Sequence, residues 1–486
     1  MTAVSPHATF RDPAGSLHFE DGLVLRRVAA CARAEALDLL ATPFCQAMQQ
    51  RGDLIHAEVD DSGRQLCLRH PMVPIPTYPW EWTPSQWLAA ADLTLTLCEE
   101  SLAAGWILKD ATPLNILFIG PRPIFVDILS FERRDPVSHD PARHAARSSI
   151  WLAYGQYIRT FLLPLLMDRL LHWPLSLSLF RRDGYEPAEC FAALPWRSRL
   201  SPAAFWPIAL PTLLDRRKPS AAPQSQNAPQ KRSPALDPEA ATHILLRTLR
   251  GLRRRTRRAA PRFAASDWSN YQQTLTHYTP SQGQQKLDWV RRVLQSTQPA
   301  RVLDIGANTG EFSALAASLG AEVVALERDQ AAADRLFQMA RQRKLSIQTI
   351  HADLARPTPA VGWLNSESTA LLPRLEAQFD LVLMLAVIHH LLLMEQVPLP
   401  DILALCHRLT RRHLVVEWVP VEDPMFQGLL RGRDALYGSL TEADLIDACN
   451  GLFRVVDRQP LDNGRVLLLL EQTGAQRIDS NRIEEC

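Results

Sequence analysis

Short apolar runs alternate with amphipathic stretches throughout the carboxyl-terminal half of the chain, from about residue 299 onward. Alternation between strand-length runs and helical periodicity is typical of an α/β sheet built from βα units. The predicted strands are Arg301–Gly306, Glu322–Leu326, Ser346–Ile350, Leu381–Leu385, His413–Val416, Phe453–Val456 and Val466–Leu470. The last two flank Asp462-Asn463-Gly464, a turn that strongly predicts an antiparallel hairpin.

The amino-terminal half has a different pattern, which predicts a mainly helical α+β domain. Ser85 to Gly105 predicts one amphipathic helix rich in Leu and Ala, and Pro123 to Asp127 a short strand. The most apolar stretch, Phe161 to Phe180, contains Asp168 and two prolines. A membrane span needs about 20 nearly uncharged residues, so this stretch predicts buried helices.

A composition change near residue 215 separates the two halves. Residues 219–238 contain five prolines among Ser, Gln, Asn and Ala, which is typical of a linker. Glu239 to Ala260 then predicts a helix whose Leu245, Leu249 and Leu252 share one face. We therefore expect an amino-terminal domain at 1–214, a basic linker at 215–263, a second domain at 264–475 and a flexible tail at 476–486.

Positive charge is concentrated in the linker. The net charge is only +1, but Arg216 to Arg262 carries thirteen Lys and Arg residues against two acidic ones. The Arg247–Arg258 stretch could contact an anionic membrane or nucleic acid weakly. Alternatively, the helix packs on the acidic remainder of the same protein.

The eight cysteines are scattered singly, without a C-x-x-C pair. This argues against a zinc ribbon or a disulfide scaffold, and no metal site is predicted. The first fifteen residues lack a basic start followed by an apolar run, so no signal peptide is expected. A cytoplasmic location is the simple expectation.

The first predicted strand of the second domain leads into a glycine turn. Asp304 and Gly306 end the strand, Asn308 and Gly310 follow, and a helical pattern begins directly after them. A strand, a glycine turn and a helix form the first unit of a nucleotide-binding sheet, where glycine lets the backbone approach a ligand. Glu327 stands 21 residues after Gly306, a position suited to ribose hydroxyls. The turn alone would serve NAD equally well.

The full set of positions resembles the class I S-adenosylmethionine-dependent methyltransferase family, over roughly 170 residues. The family's motifs occur here in order. The acidic residue and glycine turn are at Asp304, Gly306 and Gly310, the ribose-binding acid is Glu327, and the adenine-binding Asp is Asp353. The closing hairpin follows them. The resemblance implies a Rossmann-like seven-stranded sheet with helices on both faces. It also implies S-adenosylmethionine as the cofactor. A dehydrogenase-like or inactive nucleotide fold is the alternative.

The resemblance also assigns roles. Asp304 would hold the methionine part of the cofactor, Glu327 the ribose, and Asp353 with the Leu354 amide the adenine. Backbone around Asn308 would lie against the cofactor. Ala386, directly after the fourth strand, would complete the binding set.

The acceptor side is less specified. Methyl transfer needs a base only when the acceptor must lose a proton, and His389 or His390 could be that base, because histidine titrates near neutral pH. Alternatively, the pair shapes the pocket or caps a helix. Glu417 could contact the acceptor or stabilise its loop.

Aromatic residues before the first strand, together with Lys286, could form a lid over the cofactor or simply pack there. They are Trp268, Tyr271 and Tyr278.

A second resemblance lies in the amino-terminal half. Asp110, Asn115 and Asp127 have the spacing of the catalytic and metal loops of protein kinases and aminoglycoside phosphotransferases. The glycine-rich loop is missing, and Lys109 replaces the usual His or Arg. The resemblance implies a degenerate lobe used for binding, although these residues could simply bond loop backbone. The aromatic segment 78–82 could line a sugar or small-molecule site.

These patterns favour a methyltransferase that acts on a small-molecule, lipid or glycan-linked acceptor, with oxygen as the first choice of accepting atom and nitrogen the second. One alternative is a bifunctional enzyme with an active phosphotransferase lobe. Another is a non-enzymatic module that docks through the Arg-rich helix. The oligomeric state is not indicated.

Overall fold

The computed structural model describes residues 11–20, 22–63, 65–134, 150–216, 237–260 and 279–473. The chain forms two compact units. Unit 1 comprises Met1–Ala264 and Pro359–Ala370, and unit 2 comprises Ala265–Thr358 and Leu371–Cys486. Residues 359–370 leave the second domain, which no pattern in the sequence indicates.

Unit 1 contains one larger sheet and two strand pairs. Strands β1 (Gly15–Glu20), β2 (Leu23–Val28), β3 (Glu58–Asp60) and β4 (Cys67–Pro71) form an antiparallel sheet in the order β1-β2-β4-β3. Strand β5 (Trp106–Leu108) pairs with β8 (Phe131–Arg133), and β6 (Ile116–Ile119) pairs with β7 (Arg122–Phe125), both antiparallel. Its α-helices are Arg33–Leu40, Pro43–Arg51, Pro84–Ala103, Tyr154–Tyr157, Leu163–Leu171, Pro187–Ala193, Trp196–Arg199, Pro202–Ala204, Leu210–Arg216 and Pro238–Ala259.

Helix Pro84–Ala103 confirms the helix predicted at Ser85–Gly105, and its start follows from local chemistry. The Thr83 hydroxyl accepts from the Gln86 backbone N–H, and the Gln86 side chain accepts from the Thr83 N–H. This reciprocal pair forms a capping box, with Pro84 at the first helical position. Most of the helix is buried, so it lies in the core of unit 1.

Helix Pro238–Ala259 packs within unit 1 rather than standing apart as part of a linker. Leu245, Leu249 and Leu252 are all buried, because their shared face packs against the neighbouring helices. Arg257 binds the carboxylate of Asp92 at 2.9 Å. These contacts favour the interpretation that the basic helix packs on the same protein over contact with a membrane or nucleic acid.

The prediction of buried helices at Phe161–Phe180 is confirmed for the first half of the stretch, whereas in the second half Leu177 and Phe180 are exposed. The stretch includes helix Leu163–Leu171, whose first six residues are buried, and the 3-10 helix Leu175–Phe180. Among the described helices, none combines the length and the apolar character needed to cross a bilayer.

Unit 2 is built on the predicted seven-stranded sheet. Its strands are β9 (Arg301–Ile305), β10 (Glu322–Glu327), β11 (Ile347–His351), β12 (Phe379–Met384), β13 (Thr410–Trp418), β14 (Phe453–Pro460) and β15 (Val466–Gln472). The order is β11-β10-β9-β12-β13-β15-β14, parallel except for β15, which is antiparallel to both of its neighbours.

Both faces of this sheet are covered. Consecutive residues of β9 and β12 are buried, which requires a packed layer on each side because neighbouring side chains point to opposite faces. The α-helices of unit 2 are Pro280–Thr297, Glu311–Ser318, Gln330–Arg343, Leu371–Leu375, Ile388–Leu393, Leu399–Leu409, Pro424–Leu430, Asp434–Tyr437 and Glu442–Ala448.

The hairpin is confirmed, and its strands are longer than predicted. The Leu461 N–H donates to the Arg465 carbonyl, and Gly464 has φ +81°, which a glycine adopts without strain. The sheet therefore ends at the antiparallel edge that the Asn-Gly turn predicts.

Segment 359–370 is an insertion in the sequence of unit 2 that belongs to unit 1. It follows β11 and precedes β12 along the chain, and its ends are joined where the Leu371 N–H donates to the Thr358 carbonyl. Within unit 1, the Tyr78 hydroxyl accepts from the Thr369 N–H at 3.1 Å. One segment of the second domain's sequence thus belongs to the structure of the first.

The leucine face of helix Pro238–Ala259 gives a stability prediction. Leu252 is fully buried, so Leu252→Ala should lower the free energy of unfolding by about 2–5 kcal/mol. The exposed Arg254 on the same helix provides the control, and Arg254→Ala should change stability by less than about 0.5 kcal/mol. Urea unfolding measures both, and equal effects would show that the helix does not contribute to the core.

Candidate active site

The site lies where parallel strands end. Strands β10, β9 and β12 are neighbours, so their carboxyl ends meet at one edge of the sheet. A cavity of about 230 Å³ opens there. Its lining includes Gly283, Lys286, the turn Asp304–Thr309, Phe312, Leu326–Asp329, Ala352–Leu354, Leu385–Val387, His390 and Glu395.

The two turn glycines allow the close approach that forms the cavity. Gly306 has φ +72°, and a Cβ atom there would lie 2.4 Å from a Val387 methyl group. Gly310 has φ +89°, and a Cβ there would lie 2.8 Å from Leu336. Any side chain at either position would meet both backbone strain and a steric clash.

Asp304 ends β9 as a buried carboxylate. Its Oδ2 accepts from the Ser313 hydroxyl at 2.6 Å. Burial raises the pKa of Asp304 to about 6, while Ser313 and the Lys286 ammonium act in the opposite direction. The carboxylate is therefore held in one orientation at the edge of the cavity, beside a cation.

Glu327 ends β10 and ties the glycine turn to the next helix. Its two carboxylate oxygens accept from the backbone N–H groups of Asn308 (2.8 Å) and Asp329 (2.7 Å). Burial raises its pKa, and the backbone donors partly oppose that shift. A carboxylate offers about four acceptor positions, more than these backbone donors use, so Glu327 can also accept from a hydroxyl donor in the cavity.

Asp353 follows β11 and lies in the same lining. One carboxylate oxygen accepts from the Ala355 N–H at 2.9 Å, and the other faces Arg356 at 3.2 Å. Glu395, which also lines the cavity, binds that same arginine at 2.6 Å. Among the described residues, the Asn308 side-chain oxygen is buried and has no hydrogen-bond partner, so the cavity retains an acceptor for a ligand donor.

The two histidines follow the end of β12 and differ in their exposure to the cavity. The strand ends at Met384, Ala386 takes a left-handed φ of +56°, and a helix begins at Ile388. His389 and His390 therefore lie on a helix rather than at the end of a strand. Only His390 is part of the cavity lining, whereas His389 is 2% exposed.

The two rings contact each other, with centroids 4.3 Å apart. Burial lowers the pKa of His389 to about 3 and that of His390 to about 4. Both rings are therefore neutral at neutral pH. Within the described chain, His389 Nδ1 is buried without a hydrogen-bond partner.

Glu417 lies in a buried ion network rather than at the cavity surface. Its Oε2 accepts from Lys286 at 2.6 Å, and its Oε1 accepts from Arg465 at 3.2 Å. Arg465 is itself fully buried and also donates to Asp423 at 2.8 Å. This position favours a structural role for Glu417 over contact with the acceptor. Glu417 reaches the cavity only through Lys286, which it binds and which lines the cavity.

The structure brings together every predicted cofactor-binding residue: Asp304, Gly306, Asn308, Glu327, Asp353, Leu354 and Ala386 line the cavity, and Gly310 supports its turn. Their roles remain predictions. Two contacts were missed from the sequence. Ser313, which binds Asp304, could have been found from its position in the helix nine residues later. No sequence signal indicates that Arg465 binds Glu417. Trp268, Tyr271 and Tyr278 lie outside the described residues.

The kinase-like positions lie together in unit 1, where neighbouring side chains engage them. Arg26 donates to Asp127 Oδ1 at 2.8 Å, Ser130 donates to Asp127 Oδ2, and Asn115 donates to Ser130 at 3.0 Å. Burial raises the pKa of Asp110, and the charge of Asp127 adds to that effect. A phosphotransferase role for these residues remains a prediction.

Comparisons with known proteins find a methyltransferase domain in the part of the chain that contains this cavity. A family profile described as a methyltransferase domain matches residues 275–405. Over 465 residues the chain is 29% identical to nodulation protein NoeA of Rhizobium meliloti (strain 1021), and the match covers 93% of this chain and 92% of that protein.

Three solved structures are similar to part of the chain. Magnesium protoporphyrin IX methyltransferase ChlM from Synechocystis PCC 6803, with bound SAH, is 18% identical with a TM-score of 0.28 and covers 40% of this chain and 84% of its own. N-methyltransferase NodS from Bradyrhizobium japonicum WM9 is 16% identical with a TM-score of 0.30, covering 40% and 98%. The bifunctional kinase-methyltransferase WbdD is 20% identical with a TM-score of 0.29, covering 39% of each. Structural likeness at this level carries no functional argument.

Gly306 gives a direct test of the cavity. Gly306→Ala should abolish measurable S-adenosylmethionine binding in calorimetry, because the new methyl group would collide with Val387 where the backbone must approach the ligand. Gly320→Ala is the matched control, since Gly320 has φ +99° but open space around it. Unchanged affinity in the Gly306 variant would mean that the cofactor binds elsewhere.

Asp304 gives a pH prediction. Its folded-state pKa of about 6 lies above the ordinary value of 3.8, so the folded protein holds this proton more tightly than the unfolded chain. Its contribution to stability is therefore largest below about pH 4 and is lost as the pH rises through about 6. Asp304→Asn should lack this loss, so its stability relative to the parent should increase from acid to neutral pH.

Urea unfolding of the cofactor-free proteins across that range measures the difference. Parallel pH profiles for the parent and the variant would contradict the assignment.

Proposed function

We propose that the carboxyl-terminal region of this chain is an S-adenosylmethionine-dependent methyltransferase domain that methylates a hydroxyl oxygen on a small-molecule, lipid or glycan-linked acceptor. A nitrogen acceptor is the second choice. The observation that carries the proposal is the convergence of Asp304, Glu327, Asp353 and His390 on one cavity at the carboxyl edge of the sheet.

The residues present fit the cofactor. The glycine turn leaves a cradle that a Cβ atom would fill, and Glu327 is oriented by two backbone donors with lone pairs to spare. In the proposal, Asp304 holds the methionine part, Glu327 the ribose hydroxyls, and Asp353 with the Leu354 amide the adenine. S-adenosylmethionine supplies an electrophilic methyl group on a positively charged sulfur.

The protein's main contribution is positioning. The leaving group in methyl transfer is neutral, so no acid is needed to expel it, and alignment of the two reacting atoms supplies much of the rate. Asp304 and Glu327 suit this task because their hydrogen bonds hold them rigidly before any ligand binds. Lys286 is fixed in the same wall by its ion pair with Glu417.

His390 is the favoured base for a hydroxyl acceptor. It lines the cavity, which His389 does not, and its lowered pKa of about 4 leaves the ring neutral at physiological pH. A neutral imidazole of low pKa is a weak base, so it would take the proton as the oxygen–methyl bond forms rather than beforehand. His389 supports it by ring contact.

The acceptor has to be found before the base can be tested. A tritiated methyl-transfer assay across cell-extract fractions detects activity and isolates the acceptor in the same experiment. The match to NoeA extends over both units, so the full chain should be used.

With the acceptor in hand, His390→Ala should lower kcat by about 10²- to 10⁴-fold, which is the usual contribution of a general base. Cofactor affinity in calorimetry should change little. The matched variant His389→Ala removes the neighbouring ring outside the cavity and should reduce kcat far less. Full turnover by the His390 variant would remove that residue from the chemistry, and failure of the folded parent to bind S-adenosylmethionine would refute the function.

A further inference from the structure

Unit 1 contains a second cavity, larger than the first. Its volume is about 470 Å³, within the range of roughly 300–1,000 Å³ that is usual for small-molecule sites. Its walls come from strands β1 and β2, the segment before helix Pro84–Ala103, the loops around Asn115 and Asp127, residues 178–185 and segment 359–370. All of these belong to unit 1.

Aromatic rings form one wall. Tyr78 and Trp80 stack with their centroids 5.1 Å apart and their planes 24° from parallel. Trp87 and Tyr185 lie behind this wall and are only 1% and 3% exposed. Flat aromatic surfaces suit a ligand that presents flat apolar faces.

Unpaired hydrogen-bonding groups line the same cavity. Within the part of the chain that the structure describes, Trp80 Nε1, Arg26 Nε and Ser178 Oγ are buried without a hydrogen-bond partner. Trp80 is only 6% exposed and Arg26 only 7%. An unpaired buried donor is costly, and the two nitrogens can only donate. The cavity therefore suits a ligand rich in acceptor oxygens.

The arginines around the cavity are already ion-paired. Arg26 pairs with Asp127, Arg181 pairs with Glu189, and Glu367 binds both Arg11 and Arg182. All four of these arginines line the cavity. A polyanion would have to break such pairs to gain a cation, whereas a neutral ligand would not.

Asp127 itself is occupied on both sides. One carboxylate oxygen accepts from Arg26 and the other accepts from Ser130. A magnesium-bound triphosphate at Asp127 would place the metal ion beside the Arg26 guanidinium, whose positive charge repels it. The observed contacts thus favour an uncharged ligand over a nucleotide.

Segment 359–370 forms part of the wall through Val361, Gly362, Glu367 and Ser368. Gly362 has φ +95°, and a Cβ there would lie 2.3 Å from Glu367. The Glu367 carboxylate in turn accepts from the Trp363 N–H at 2.8 Å and holds the two arginines. This built turn gives the cavity a defined edge.

We propose that the unit 1 cavity binds a neutral, hydroxyl-rich saccharide, with the half-buried Tyr78 ring, backed by Trp80, as the stacking wall and Trp80 Nε1, Arg26 Nε and Ser178 Oγ as the polar contacts. A sugar ring has apolar C–H faces for the aromatic wall and hydroxyl oxygens that accept from the free donors. The inference does not depend on methyl transfer, because the whole cavity lies within unit 1.

The test uses the full chain and three disaccharides: maltose, cellobiose and N,N′-diacetylchitobiose. Ligand-observed NMR and calorimetry at millimolar concentration should detect binding of at least one. Trp80→Phe keeps a ring but removes the donor, and Ser178→Ala removes the hydroxyl. Each should raise the dissociation constant about 3- to 10-fold, the value of one neutral hydrogen bond.

Trp196→Phe is the control, because Trp196 is 66% exposed and is not part of the cavity lining; it should leave saccharide binding unchanged. Absence of saccharide binding in a protein that still binds S-adenosylmethionine overturns this proposal and leaves the methyltransferase intact. Saccharide binding that neither cavity variant weakens overturns the location. ATP with magnesium binding that competes in this cavity overturns the ligand class.

Discussion

The site in unit 2 depends on one close approach, that of the Gly306 backbone to Val387. The carboxyl ends of β9 and β12 can meet around a ligand only if the turn after β9 has no side chain. The same turn places the Asn308 N–H against Glu327, which ends the neighbouring strand. A single absent Cβ thus lets three parts of the sheet edge act as one binding surface.

The ion network behind the cavity gives that surface its rigidity. Glu417 pairs with Lys286, on the helix before β9, and with Arg465, directly before β15. Arg465 also pairs with Asp423. Buried charges of this kind contribute little net stability, but loss of one partner leaves another charge buried and unpaired. The network therefore acts mainly to fix the position of Lys286 in the cavity wall.

The sequence predicted most of the sheet because strand and turn signals are local. The strands, the glycine turn and the Asp462–Gly464 hairpin all depend on residues close together in the chain. The choice between His389 and His390 could not be made that way, because a helix begins at Ile388 and turns consecutive side chains by about 100°. The Arg465 partner of Glu417 lies 48 residues away, a distance that no periodicity reports.

Contacts between residues distant in the sequence also decide where the leucine face of helix Pro238–Ala259 packs. The sequence predicts the face but not its packing partner. Leu245, Leu249 and Leu252 predict an apolar face, yet only the folded chain shows that this face belongs to unit 1. For the cavity of unit 1, the sequence supplied the aromatic segment but could not show that Arg26 neutralises Asp127 from a strand about 100 residues earlier.

Segment 359–370 belongs to unit 1, although the residues before and after it in the sequence belong to unit 2. Along the chain it lies between Asp353, in the lining of the unit 2 cavity, and β12, which leads to His390. Its ends are fixed in unit 2 by the Leu371–Thr358 hydrogen bond, while Glu367 is held in unit 1 by two arginines. A ligand in unit 1 can influence the unit 2 site only to the extent that it binds one arrangement of this segment more tightly than another. Coupling, where it exists, would be reciprocal, so the cofactor in unit 2 would then change saccharide affinity in unit 1 by the same factor.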